Sequence, residues 1–331
     1  MKILKTFLII SVLVVLGFLF SYGPRLYSYI KSQSITSDNL YATVDSSTAN
    51  TKPVSEDVTK NDEITLGFVG DIMLDRGVKQ MIDQVGRGDF DFPFAEIKED
   101  LAKYDFLFGN LEGPVSNKGS DVGSIYSFRM DPKTIAALKQ AGFKAVSVAN
   151  NHSGDWGLAA FKDTVARLNE AEILPVGDAN DPKIIHIRGV KIGLVGFSDF
   201  PTPASRAEPE LIKKRILQAR AEADIVIASF HFGVEYEKMP SGRQRSLAQL
   251  AADSGADLII GHHPHVAEPV ELYGNSFIAY SLGNFVFDQS FSDKTMESSF
   301  LTVNIKNKKI VGVREHKLAL NSYFQPYISH Y

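Results

Sequence analysis

Cysteine is absent from this chain. Disulfides, thiolate metal sites and a cysteine nucleophile are therefore excluded. The same absence rules out a lipidated cysteine near the N-terminus. It does not fix the compartment, because a chain exposed to oxidants can simply avoid thiols. Charge of one sign is not in excess either. Lys and Arg number 35 against 39 Asp and Glu, a formal net charge of −4. No global basic field recruits nucleic acid, and any handling of anions must be local. Internal repeats are lacking. What remains is a composition ordinary for a globular protein. The 331 residues suffice for one large domain or two modest ones with a sizeable core.

The N-terminus carries Lys2 and Lys5, then an apolar stretch from Phe7 to Phe20. With Thr6, Ser21 and Tyr22 it reaches about 17 residues, the short end of what crosses a bilayer as a helix. A cleaved signal peptide would need a small-x-small site after the run. The run ends instead in bulky Phe-Leu-Phe-Ser-Tyr-Gly-Pro-Arg. An uncleaved single-pass anchor over 1–25 is therefore expected. Lys2 and Lys5 hold the N-terminus in the cytoplasm and put the rest outside the cell membrane, although Arg25 and Lys31 on the far flank weigh against this orientation. Residues 26–62 turn polar, rich in Ser, Thr and acids, and read as an extracellular stalk that cannot bury enough surface to fold.

Order is expected from 63 to 318, followed by a tail over 319–331. Strand-like runs "ITLGFVG", "YDFLFGN", "KAVSVAN", "VKIGLVGFS", "ADIVIASFHFG" and "ADLIIG" alternate with helical stretches. One helix is read from Asp131 as N-cap to Gly142 past its end, another from Ser241 to Gly255. A third carries Leu158, Phe161, Val165 and Leu168 on one face. Hairpins follow, with turns at Gly274-Asn275 and Asn307-Lys308. Alternating strands and helices followed by hairpins give an α/β layer fold with β-rich additions.

The polar residues cluster at strand ends. Asp71 follows the first strand, Glu112 the second, Asn151 and His152 the third. His231 sits within the fifth. His262, His263 and His265 follow the sixth. In open α/β sheets the ligand crevice lies at that edge. Carboxylates, an amide oxygen and imidazoles suit one or two divalent ions such as manganese, zinc or iron. Two ions would activate water for in-line attack on a phosphorus or acyl centre. His263 and His265 are read as ligands. His262 faces the other way if the segment is extended, and it is placed behind them. Asp155 is read as a helix cap, Asn110 as a turn residue, and His186 and His316 as structural or surface. Asn284 and Asp288 either form a turn or line the pocket.

The ordered motifs "GFVGDIMLDR", "GNLEGPV", "VANNHSGDWG", "FHFGVEY", "DLIIGHHPHV" and "IAYSLGNFVFD" resemble those of the CapA/PgsA family, associated with capsule and poly-γ-glutamate synthesis. That family is itself similar to the calcineurin-like metallophosphoesterases, a β-sandwich flanked by helices. The resemblance implies that Asp71 binds a first metal and Glu112 bridges. It implies that Asn151, His231 and His263 bind a second metal, and that His265 returns to the first. His152 would act as an acid near the leaving group. Two positions depart from the parent pattern. Met73 stands where a ligand His is expected, and Glu112 replaces an Asp. The first site is then weak, empty, or completed by Asp75, Asn110 or water. Arg76 could supply positive charge toward an anionic substrate. The implied function is a membrane-anchored extracellular hydrolase or transferase of polymer assembly. Its implied partners are the polymer synthase and export proteins and an anionic polymer such as poly-γ-glutamate. A non-catalytic assembly factor and a general phosphoesterase are the alternatives.

Overall fold

A computed structural model describes residues 63–329. The expected anchor over 1–25 and stalk over 26–62 lie outside the described residues, as does His330. Among the described residues no helix is long and apolar enough to cross a membrane.

Two sheets face each other. The first holds β1 (Ile64–Ile72), β2 (Phe106–Leu111), β3 (Phe143–Ser147) and β4 (Leu174–Val176) as parallel neighbours. The second is built on β5 (Lys183–Ile187), β6 (Val190–Ser198), β7 (Ile225–His231) and β8 (Leu258–His262). In it β6, β7 and β8 are parallel, and β5 lies antiparallel at the edge. The hairpin of β9 (Val270–Tyr273) and β10 (Ser276–Ala279) completes this sheet, joined at Gly274-Asn275. The chain then returns to the first sheet. Short β11 (Asn284–Val286) pairs in parallel with the end of β1, in the register Asp71 to Asn284. Long β12 (Glu297–Lys306) and β13 (Lys309–Leu320) extend its other side. They meet at Asn307 and Lys308, both with positive φ, as a tight turn matching strand twist requires.

Burial explains why these runs become strands. β1 is β-branched and aromatic, and all its residues but Thr65 are buried. One face of each sheet enters a shared core with Phe68, Phe108, Ile227, Ile260 and Leu301. The outer face of the first sheet packs on α1 (Arg76–Gln84), α2 (Lys98–Leu101), α3 (Thr134–Gln140) and α4 (Gly157–Glu170) through residues such as Ile82, Leu101, Leu138 and Leu168. The outer face of the second packs on α5 (Pro209–Glu222) and α6 (Gly242–Asp253) through Ile216 and Leu247. Asp181 ties the sheets together, accepting from Gly177 N at the end of β4 and Gly196 N in β6, both at 2.8 Å. The result is an α/β fold of two sheets flanked by helices.

Some boundaries differ from expectation. Ser241 caps α6 in a full capping box with Gln244. Asp131 does not cap α3. The helix begins at Thr134, and the Asp131 side chain takes Lys133 N in the preceding turn. Leu158 on α4 is 54% exposed because it lies in the first turn, beyond the edge of the core. The 319–331 segment is no free tail as far as Ser329. β14 (Pro326–Ile328) pairs antiparallel with β13, burying Leu320 and Gln325.

Gly70 is where the first sheet allows β11 in. A Cβ there would lie 1.8 Å from Gly283 O. The same carbonyl accepts from Asp71 N at 2.9 Å. Gly70→Ala forces backbone apart beneath Asp71, an overpacking cost of about 1–3 kcal/mol or more. Thermal unfolding should show a Tm lower by about 5 °C; an unchanged Tm would contradict this account of the junction.

Candidate metal centre

The parallel strands of both sheets end on the same side, and their terminal polar residues meet there. Asp71 and Glu112 are fully buried. Their carboxylates and the ring of His265 place ligand atoms within 4.8 Å of one another. His265 Nδ1 lies 3.4 Å from Asp71 Oδ2 and its Nε2 3.6 Å from Glu112 Oε1. Asn110 Nδ2 donates to Asp71 Oδ1 at 2.9 Å and to Glu112 Oε2 at 3.2 Å. That amide fixes the angle between the two acids.

A second group adjoins the first. His231 Nε2 is 2.7 Å from Asn151 Oδ1, and Asn110 Nδ2 is 3.3 Å from His231 Nδ1. The two hydrogens of the Asn110 amide go to the nearer acids, so His231 Nε2 donates to Asn151 Oδ1 and the Nδ1 lone pair stays open to a cation. The rings of His231 and His263 have centroids 4.9 Å apart, and Phe200 covers His263 at 4.2 Å. Asn151, His231 and His263 are thus brought together, as are Asp71, Glu112 and His265.

His152 stands at the rim. Its Nδ1 is 2.8 Å from Asp155 Oδ2, and its Nε2 is 3.8 Å from Glu112 Oε1. Asp155 therefore does not cap α4, whose N-cap is Trp156. It also accepts from Phe128 N at 2.9 Å and Ser124 Oγ at 3.1 Å, tying the 117–128 loop to His152. Arg76 is engaged elsewhere. Its guanidinium pairs with Asp288 and lies 4.8 Å from the centroid of Phe128. The charge expected to face a substrate is committed to that carboxylate. Met73, at the position where a ligand His was expected, is fully buried with Phe128 and Phe287. It fills an apolar wall and donates nothing.

His262 corrects the alternation argument. The strand stops there, and His263 and His265 adopt φ of 101° and 58°. The chain turns, so alternation no longer applies, and His262 Nδ1 comes to 3.4 Å from Asp71 Oδ1. Asn284 also belongs to the site. Its Oδ1 is 2.9 Å from His265 Nδ1, and its amide donates to Gln289 Oε1 and Thr295 O. Asn110 and Asn284 were missed as site residues or left open, because an amide after a strand is also an ordinary turn former. His186 and His316 lie in β5 and β13, away from this cluster.

Electrostatics divide the set. Burial works against the Asp71 charge, yet the imidazoles of His262 and His265 hold its carboxyl well below the usual range. Burial and the Asp71 charge push Glu112 well above it. Burial opposes a charge on His265, but Glu112 and Asp71 raise it to about 9. Burial and neighbouring imidazoles lower His263 to about 3 and His231 well below its ordinary value. His265 therefore carries the proton that compensates the acids, while His231 and His263 present neutral rings. Glu112 Oε1, His262 Nδ1 and Nε2, and His263 Nδ1 are buried without a hydrogen-bond partner. Unpartnered buried acceptors beside clustered carboxylates are what a divalent ion would satisfy. The residues fit such an ion.

A crystal structure described as a novel phosphatase from Mycoplasma pneumoniae has a similar fold. Its TM-score is 0.53 at 14% identity, over 78% of this chain and 94% of that one. This chain therefore shares the fold of that phosphatase, two sheets flanked by helices. A family model described as "Bacterial capsule synthesis protein PGA_cap" matches residues 65–289, and the chain belongs to that family. It is 34% identical over 272 residues to the Capsule biosynthesis protein CapA of Bacillus anthracis, covering 75% of this chain and 65% of that relative, just under two thirds. It is 35% identical over 266 residues to the PGA biosynthesis protein CapA of Bacillus subtilis, covering 74% and 69%.

Ligands must shed protons to bind a cation. With His265 raised to about 9 and Glu112 also raised, proton competition is strong at neutral pH and fades as pH rises toward 9. Calorimetric titration of manganese into the chelator-stripped chain should show proton release. Affinity should rise about tenfold per pH unit between 6 and 8 for each proton displaced. Affinity independent of pH would show that these groups do not bind the ion.

Proposed function

We propose that this chain is a metal-dependent hydrolase or transferase acting on an anionic polymer during capsule or poly-γ-glutamate synthesis. Family membership and the names of the two Bacillus relatives support the pathway. The observation that carries the chemistry is the buried Asp71–Glu112–His265 cluster with His152 held beside it. Asp71, Glu112 and His265 would hold one divalent cation and Asn151, His231 and His263 a second, supplying Lewis acidity and a more acidic water. Manganese, zinc or iron suits this donor set.

The chain's own residues then divide the work. Asp155 fixes His152 through Nδ1, leaving Nε2 facing the acids. Nε2 is the atom that passes a proton to a leaving group. Asn110 and Asn284 hold Asp71, Glu112 and His265 in place through side-chain hydrogen bonds. Phe128, Phe200 and Phe287 pack against the rings of His152, His263 and His265 and keep water from their backs. We further place the domain outside the cell, held at the membrane by residues 1–25 beside the synthase and export proteins.

A second reading has its own support. Met73 removes a ligand, which a non-catalytic assembly factor would tolerate. Full-length variants expressed at equal levels in a polymer-producing strain separate the two. Asp71→Asn and His263→Ala should abolish polymer and lower metal content. His152→Ala should cut the rate about 10²-fold or more with metal retained. Undiminished polymer from Asp71→Asn would leave the scaffold reading standing. Protease added to intact cells should degrade the domain, and full protection would overturn its placement outside.

A further inference from the structure

Most arginines of the described fold are engaged by acids. Arg188 meets Asp105, Arg215 Asp181, Arg220 Asp257 and Arg243 Asp199. Arg129 differs. Its side chain is exposed, and its guanidinium lies over Trp156, 3.7 Å from the ring centroid. Among the described residues no carboxylate pairs with that guanidinium. Its backbone is fixed, with Arg129 N donating to Asp75 Oδ2 at 2.8 Å. The preceding residue, Phe128, lies tilted against His152 with centroids 4.0 Å apart. Arg129 is thus a pre-positioned cation at the flank of the candidate centre.

It lines a cavity of about 230 Å³ with Asp75, Lys79, Ser116, Asn117 and Asp131, over Met130 and Pro132. That volume is below a drug-sized pocket and suits a single polymer unit. The wall is mixed in charge. Lys79 is shared with Asp83. Asp75 and Asp131 each take one backbone N–H and retain oxygen atoms that can accept another. A stacked guanidinium presents a rigid fork to a carboxylate. The two acids can each accept from a further N–H donor. A unit carrying both a carboxylate and an amide N–H matches this wall.

We propose that the cavity is a subsite for one glutamyl unit of an anionic polyamide, with Arg129 holding its carboxylate. This rests on the polymer reading given above and adds where the chain beyond the reacting unit is held. The site is separate from the cation, so it is tested without one. The full-length chain in EDTA is titrated with a synthetic γ-linked glutamate hexamer and, separately, with a galacturonate hexamer. Wild type should bind the glutamate hexamer. Arg129→Gln should weaken it about tenfold, as loss of a charge-assisted pair does. Asn117→Ala should weaken it less, with Tm unchanged in both. Equal binding by wild type and Arg129→Gln would remove the subsite and leave the polymer reading intact. No binding of the glutamate hexamer by wild type, or tighter binding of galacturonate, would overturn the glutamyl subsite, while the polymer reading stands or falls on the Asp71→Asn and His263→Ala variants.

Discussion

Asp71 and Glu112 are buried side by side, wholly cut off from solvent. Two carboxylates in a region of low dielectric repel each other and have both lost their hydration. The protein can tolerate them only with positive charge between them. Without a metal, the proton on His265 supplies it, which is why that imidazole is raised while its neighbours are lowered. A divalent cation would do the same with more charge. The rest of the site follows from this one electrostatic demand: amides that hold the acids apart, and neutral imidazoles alongside.

The architecture exists to meet that demand in a dry place. Two sheets whose parallel strands end together bring Asp71, Glu112, Asn151, His231 and His263 into one crevice from distant parts of the sequence. Gly70 lets β11 close against β1, which delivers Asn284 to His265. Left-handed backbone at His263 and His265 turns successive rings inward, which an extended strand could not do. Such conformations cost of order 1–3 kcal/mol and persist where surrounding contacts enforce them.

Much of this was legible in the sequence. Each ligand candidate followed a recognisable strand or, like His231, lay near its end, and the strand-end rule placed them on one edge. Ser241 gave a helix start, and the Gly274-Asn275 and Asn307-Lys308 pairs gave hairpin turns. What was not legible depends on partners far along the chain. Short β11 has too few residues to show a period, and its partner β1 lies some two hundred residues away. Asp155 read as a cap because an acid before a helix usually is one, yet its carboxylate turns toward His152 and Phe128. His262 lies against Asp71 rather than facing away, because strand alternation ends where φ changes sign. Arg76 looked free until Asp288 arrived from a distant loop.

The central claim is that the buried acids and His265 share a cation. Crystals of the full-length chain soaked in manganese, with diffraction collected above and below the metal absorption edge, test it directly. The account predicts an anomalous peak in contact with Asp71, Glu112 and His265 together. A cleft holding only water between those three side chains at saturating manganese would contradict it.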